Sequence, residues 1–290
     1  MRGNVKMKRL TACLFVAAVL VGLPGSCGEP AEPNISVFAK FVRKTAKERG
    51  VSLSAAADLL YDLGVRGFDA GPDEPDLPEL AATRLKPINF YYFPKMFGPD
   101  NGKSDCLHAL DVAQRYNVPR IMVVPTHFTP GGDQEREFGL LLSGMRLFVA
   151  EAKKRGITIT VEDFGGTSNA GSYMKYLKRF LDEIPDLKFA LDSGNLYYAG
   201  RGEDILEMME YAKGRIAHVH LKDQTAEDGR KYATLGLGAV PNEKIVKAMA
   251  AARYDGWYTL ENPVGDTYND TVRQTALLKA WLAEAGGGHR

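Results

Sequence analysis

"ITITVEDFGGTSNAGSYMKYLKRFLDEIPDLKFALDSGN", residues 157–195, reads as a strand, a helix and a second strand. The first segment is a short β-rich apolar run that stops at Gly165 and Gly166. "AGSYMKYLKRFLDEIP" follows with helical spacing, and "LKFALDSGN" is again a short apolar run closed by turn residues. Two strands joined through a helix lie parallel in one sheet.

The same alternation extends in both directions. Downstream come helical "GEDILEMMEYAKG" (202–214), strand "RIAHVHLKD" (215–223), helical "PNEKIVKAMAAARYDG" (241–256), strand "WYTLENP" (257–263) and a closing helix from residue 269. Upstream, the strands are "ISVFAKF" (35–41), "VRGFDAG" (65–71), "LKPINFYYFP" (85–94) and "PRIMVVP" (119–125). Helical stretches at 51–64, 77–85, 106–117 and 138–156 separate them, with Gly64 and Gly156 placed as C-terminal caps. Eight strands alternating with helices over roughly 250 residues predict an α/β fold, a single (β/α)8 TIM barrel spanning residues 34–290. An open doubly wound sheet is the alternative, but no Gly-x-Gly-x-x-Gly loop follows the first strand.

The amino terminus has another character. Arg2, Lys6, Lys8 and Arg9 precede the apolar run "LTACLFVAAVLVGLP", and "GSC" ends at Cys27. That pattern predicts a signal peptide over residues 1–26. Cys27 is then a lipidated first residue on a tether, 27–33, and the protein an exported periplasmic or outer-membrane-anchored bacterial lipoprotein. An ordinary secretory signal cut nearby is the plainer reading. Without Cys13 and Cys27, Cys106 has no disulfide partner. Without the four leader cations, 33 basic residues face 36 acidic ones. A mildly acidic domain with no basic stripe argues against nucleic acid as a partner.

Active sites of such barrels sit at the carboxyl ends of the strands. "TVEDFGG" delivers Glu162, "ALDSGN" Asp192 and Asn195, "HVHLKD" His220 and Lys222, and "YTLENP" Glu261. Any one strand-end acid is ordinarily a solvated loop residue. Four consecutive strands delivering two glutamates, an aspartate and a histidine to one rim need a cation to hold them together. The mixed oxygen and nitrogen set suits one divalent metal: Mn²⁺, Mg²⁺, Co²⁺ or Zn²⁺. His218, two residues before His220, points to the same face one pleat deeper and is a candidate for the floor of the site or for support behind a ligand. Alone, it would be read as a packed core histidine.

These residues resemble the xylose-isomerase-like barrel proteins, also called sugar phosphate isomerases/epimerases. The likeness covers nearly the whole mature chain and is densest over residues 155–263. It implies Glu162, Asp192, His220 and Glu261 as metal ligands, with Glu162 and Glu261 doubling as the acid/base pair that moves a proton α to a carbonyl. Ketose epimerases of that family usually carry histidine where Asn195 stands, so contacts to substrate differ there. The family's endonuclease branch uses a richer histidine set than this chain has.

The resulting expectation is a metal-dependent sugar isomerase or epimerase working on a keto-sugar or related carbohydrate through an enediolate. A lyase or hydrolase of keto-glycosides using the same site is the alternative, as is a non-catalytic carbohydrate-binding lipoprotein. Lys222 is a candidate to steady a developing oxyanion; otherwise it is a solvent-facing partner of Asp223. His127 just past strand four, Asn195, His218, Trp257, the aromatics of "NFYYFP" and Lys40 on strand one are the candidates for substrate contact.

Overall fold

The computed structural model describes residues 32–226, 229–261 and 263–287. The expected signal peptide, most of the tether and the lipidation site Cys27 lie outside them.

Eight parallel strands close a barrel. They are β1 (Asn34–Phe38), β2 (Val65–Ala70), β3 (Lys86–Tyr92), β4 (Arg120–Val123), β5 (Thr158–Glu162), β6 (Lys188–Asp192), β7 (Ile216–Leu221) and β10 (Trp257–Leu260). Each pairs with its neighbours in chain order, and β10 closes on β1 with Val37 opposite Leu260. Helices α1 (Ala39–Arg49) and α2 (Leu53–Asp62) follow β1, α3 (Leu77–Ala81) follows β2, and α4 (Lys103–Arg115) follows β3. Then come α5 (Gln134–Lys154) after β4 and α6 (Met174–Glu183) after β5. The connection after β6 holds the short α7 (Asn195–Tyr198) and α8 (Asp204–Tyr211). A two-stranded ribbon, β8 (Asp223–Gln224) with β9 (Tyr232–Ala233), precedes α9 (Asn242–Ala251), and α10 (Thr267–Gly287) ends the described chain. The single-barrel expectation holds.

The apolar core fills the layer between sheet and helices. α6 shows how sequence makes that layer: Tyr176, Leu177, Phe180 and Leu181 recur on one face and are all buried. Phe138 of α5 stacks on Tyr176 at 4.6 Å between ring centroids and meets Phe180 at 4.8 Å. Burying one such side chain stabilises by about 1.5–3 kcal/mol, so this seam anchors the helices behind β4, β5 and β6. Asp133 starts α5 by accepting from the backbone N–H groups of Glu135 and Arg136 at 3.1 Å. Cys106 is buried in α4 and has no disulfide.

The barrel interior is different, because buried polar side chains occupy it. Ser36, Asp69, Asn89, Thr160, His218 and Thr259 are all fully buried. The usual filling of such a barrel is layers of branched apolar residues. A polar filling must satisfy itself by hydrogen bonds, and that requirement shapes the site above it.

One boundary differs from expectation. "ISVFAKF" is not one strand: β1 ends at Phe38 and α1 begins at Ala39. From Ala39 the buried positions, Phe41, Val42 and Thr45, fall on helical spacing, and Gly50 closes the helix at φ 64°. Lys40 therefore stands in the first turn of a helix at the barrel mouth, and not on strand one. The 223–233 ribbon and α7 also go beyond the sequence reading.

Candidate metal and catalytic centre

At the carboxyl ends of β5, β6, β7 and β10, side chains converge on the Nδ1 atom of His220. Glu162 Oε1 lies 2.8 Å from it, Glu261 Oε2 3.6 Å and Asp192 Oδ2 3.8 Å. Register accounts for the meeting: Asp192 pairs with His220 across β6 and β7, and Thr259, two residues before Glu261, pairs with His220 across β7 and β10. Glu162, Asp192 and His220 are buried. Lys222, one pleat beyond His220 and also buried, places Nζ 2.8 Å from Asp192 Oδ2 and 3.2 Å from Glu261 Oε1.

Local sequence builds each position. Asp192 Oδ1 accepts from the backbone N–H groups of Gly194 and Asn195, both at 2.8 Å, where the chain turns into α7. Its Oδ2 is left toward the cluster, where Lys222 Nζ pairs with it. Gly194 is required by a close approach, since a Cβ there would stand 2.6 Å from Lys222 Cγ. Gly171 meets the same demand after β5, where a Cβ would lie 2.6 Å from the carbonyl oxygen of Glu162. That tight return lets the Phe164 N–H donate to the Gly171 carbonyl at 3.0 Å and holds the Phe164 ring at the mouth.

Burial and charge set the protonation pattern. Burial pushes the Glu162 carboxyl up to about 7, against the pull of His220. Burial disfavours charge on Asp192, but Lys222 and His220 outweigh it and hold that carboxyl below its usual range. Desolvation works against a charged Lys222 as well, and Asp192 and Glu261 overcome it and raise the pKa. His220 is likewise held protonated by Asp192, Asp69 and Glu162 despite its burial.

Below the cluster sits Asp69 of β2, which sequence reading passed over. Its carboxylate accepts from Asn89 Nδ2 at 2.8 Å, His218 Nε2 at 2.8 Å, Thr259 Oγ1 at 3.0 Å and His220 Nε2 at 3.2 Å. Arg120, at the start of β4, donates to His218 Nδ1 at 3.1 Å. His218 thus carries its proton on Nε2 and stays neutral, burial lowering its pKa to about 4. Because Asp69 takes the Nε2 proton of His220, Nδ1 is the nitrogen turned to the three carboxylates.

This donor set fits a divalent cation. Ligand atoms of Glu162, Asp192 and His220 lie within 4.8 Å of one another, and a carboxylate fixes the histidine from behind. The set is oxygen-rich with one imidazole, which accommodates Mg²⁺, Mn²⁺, Co²⁺ or Zn²⁺.

A cavity of about 200 Å³ opens onto this cluster. Glu162, Asn195, His220, Lys222, Glu261 and Lys40 form its polar side, and Phe38, Tyr91, Phe93, Met122, Val124 and Phe164 its apolar side. Surrounding protein lowers the pKa of Lys40; Lys222 adds to this and Glu261 opposes it. Asn195 is held by donating Nδ2 to the Asp163 carbonyl at 2.8 Å.

Three expected contacts fall elsewhere. His218 is fully buried beneath His220 and does not line the cavity: Asp69 and Arg120 hold it inside the barrel, in the supporting place behind His220 and not at the floor. Trp257 is the first residue of β10, at the amino end of the strand and away from the rim; its ring packs near Gly67 and Ile88. His127 is exposed, bonded through Nδ1 to Ser168 Oγ at 2.8 Å, and lines an adjoining cleft. A groove of about 420 Å³ at the amino ends of β7 and β10 is larger than the cavity, but it lies at the other end of the barrel from the acid cluster.

Lys222 is not paired with Asp223. Asp223 instead accepts from the backbone N–H groups of Gln224, Gly236, Gly238 and Val240 at 2.9–3.0 Å, gathering the loop after β7 under one carboxylate. Asp223→Ala is expected to lower stability by about 1–3 kcal/mol by stranding these donors. Limited proteolysis should then cut within residues 225–240 faster than in Asp223→Asn, which keeps an acceptor. Equal cleavage of the two variants would refute this role.

Comparison with known proteins agrees with the architecture. The model for the family described as xylose isomerase-like TIM barrel matches residues 42–284. An inosose dehydratase from Geobacillus thermodenitrificans is 28% identical across 44% of this chain and 47% of its own length, so the match spans about half of that relative. A putative hydroxypyruvate isomerase from Streptomyces coelicolor is 22% identical across 80% of this chain and 91% of its own. The crystal structure of a xylose isomerase-like TIM barrel protein from Mycobacterium smegmatis in complex with magnesium superposes with a TM-score of 0.65 at 14% identity, covering 88% of this chain and 98% of that one. The chain belongs to the xylose isomerase-like TIM barrel family.

Proposed function

We propose that this chain is a divalent-metal-dependent enzyme that removes a proton α to the carbonyl of a keto-sugar or related carbohydrate, the step common to isomerisation and epimerisation. The observation that carries the reading is the placement of Glu162 and Glu261. They reach the same imidazole nitrogen from β5 and β10, on either side of β6 and β7, and both line the cavity. Two carboxylates so placed can take a proton from one carbon and return one to its neighbour, or to the opposite face. A divalent cation held by Glu162, Asp192, His220 and Glu261 would supply Lewis acidity to the substrate carbonyl and its adjacent hydroxyl.

Lys222 holds Asp192 and Glu261 in place and keeps a positive charge beside the enediolate oxygen. Lys40 and Asn195 offer donors to hydroxyl groups, while Phe38, Phe93 and Phe164 keep water from the reacting carbon. The inosose dehydratase relative supports a second outcome of the same first step, in which the enediolate expels a β-hydroxyl.

The test has two parts. Purified protein should carry close to one equivalent of Mn²⁺, Co²⁺, Mg²⁺ or Zn²⁺ by elemental analysis after reconstitution. In D₂O it should introduce deuterium α to the carbonyl of inosose or a simple ketose, read by NMR. No bound metal together with no exchange would remove the reading.

A further inference from the structure

The catalytic cavity is not closed on its outer side. A second cleft of about 300 Å³ lies between the loop after β3 and the loop after β4 and shares two wall residues with it, Phe93 and Val124. We propose that this cleft receives the non-reacting part of the substrate, and that this part is a planar apolar aglycone: the substrate is an aryl glycoside of a keto-sugar, whose carbonyl-bearing ring reacts over Glu162 and Glu261. This rests on the carbohydrate reading above and adds to it the class of substrate.

Size is the first argument. About 200 Å³ is below the roughly 300–1,000 Å³ typical of small-molecule sites, and the cavity with its cleft falls inside that range. Chemistry is the second. Phe93, Pro94, Phe97, Val124 and Pro125 make most of the cleft wall and offer carbon and ring faces; of its polar members, Lys95, Thr126 and His127, the Thr126 hydroxyl is already engaged by Pro94 and Met96. A second sugar would need donors and acceptors for several hydroxyls; an aromatic ring needs apolar faces.

Phe93 is 53% exposed, and its ring meets Phe164 edge-on at 6.2 Å. The ring at the junction is therefore half open, with Phe164 against one part of it. The third argument is that the cleft is tied together. Thr126 Oγ1 donates to the Pro94 carbonyl at 2.6 Å and accepts from the Met96 N–H at 2.8 Å, joining the two loops. Asn169 Nδ2 donates to the Pro125 carbonyl at 2.6 Å, joining the loop after β5 as well. At the rim, His127 has Nδ1 engaged by Ser168, so Nε2 is the nitrogen left to meet a phenolic or glycosidic oxygen.

The experiment measures binding of matched methyl and phenyl glycosides, across a panel of hexose and pentose rings with one hydroxyl oxidised to a ketone, to the metal-loaded protein by calorimetry. For the sugars that bind, the phenyl glycoside should bind about tenfold tighter than the methyl glycoside. Phe97→Ala should remove most of that gain, with methyl-glycoside affinity reporting whether the cavity itself is intact. Equal affinity of the two glycosides would overturn the aglycone cleft while leaving the carbohydrate reading in place. A matching gain from a second sugar, in a disaccharide, would overturn the aryl class. Binding of none of the pairs would overturn the carbohydrate reading and this inference with it.

Discussion

Glu162→Gln and Glu261→Gln should each lower α-proton exchange by about 10²–10⁴-fold, the range for loss of a positioned acid or base. Glutamine keeps the size of the side chain and one oxygen but cannot carry the proton. The two losses should not add, because both groups serve one proton transfer and removal of either interrupts it. Metal content must be read in the same samples, since Glu162 and Glu261 both face His220 Nδ1. A variant that retains metal yet loses exchange assigns its glutamate to proton transfer. One that loses both assigns it to holding the cation, and exchange at the native rate in either variant would refute the acid/base assignment. Lys222→Met is a useful contrast, since it removes the ammonium that bridges Asp192 and Glu261 without removing a proton carrier.

The barrel was legible because its punctuation is local. Gly64 and Gly156 lie at positive φ where α2 and α5 end, and each strand run stops at turn residues. Once eight strands are counted, the strand-end rule brings Glu162, Asp192, His220 and Glu261 to one rim without further information. What stayed hidden depends on which strand faces which. Asp69 lies 149 residues from His218 and 151 from His220 and touches both only because β2 curls round to the far wall of the barrel. A signal was present: an acid inside the apolar run "VRGFDAG", on the same face as the strand-end positions. Arg120 and His218, 98 residues apart, were hidden in the same way. Lys40 was misplaced because alternation in "ISVFAKF" continues for two residues after the backbone has turned helical. Trp257 is the converse case: an aromatic on the strand that leads to Glu261 stands at that strand's amino end, away from the site.

Asp69→Ala should be the most destabilising single change in the barrel interior. The carboxylate is fully buried and accepts four hydrogen bonds, two of them from imidazoles. Burial alone would raise its pKa, yet His218 and His220 pull it well below the usual carboxylate range, so it stands ionised. Alanine leaves His220 held protonated by acids above it, the Arg120 guanidinium below, and no anion between them. Breaking a buried pair in this way costs about 3–5 kcal/mol. Against a total stability of about 5–15 kcal/mol, that is a third or more of the whole. Asp69→Asn separates stability from positioning. The amide fills the same volume and still accepts from one donor, so the loss in a urea titration should be smaller than for alanine. It can no longer hold both imidazoles through Nε2–H, and His220 Nδ1 is then no longer fixed toward the acid cluster. Metal affinity should fall by about 10–100-fold, the usual effect of losing the carboxylate behind a ligating histidine. If Asp69→Asn binds metal as tightly as the native protein, His220 is oriented by packing against Phe38, whose ring lies 5.1 Å away, and Asp69 serves the fold alone.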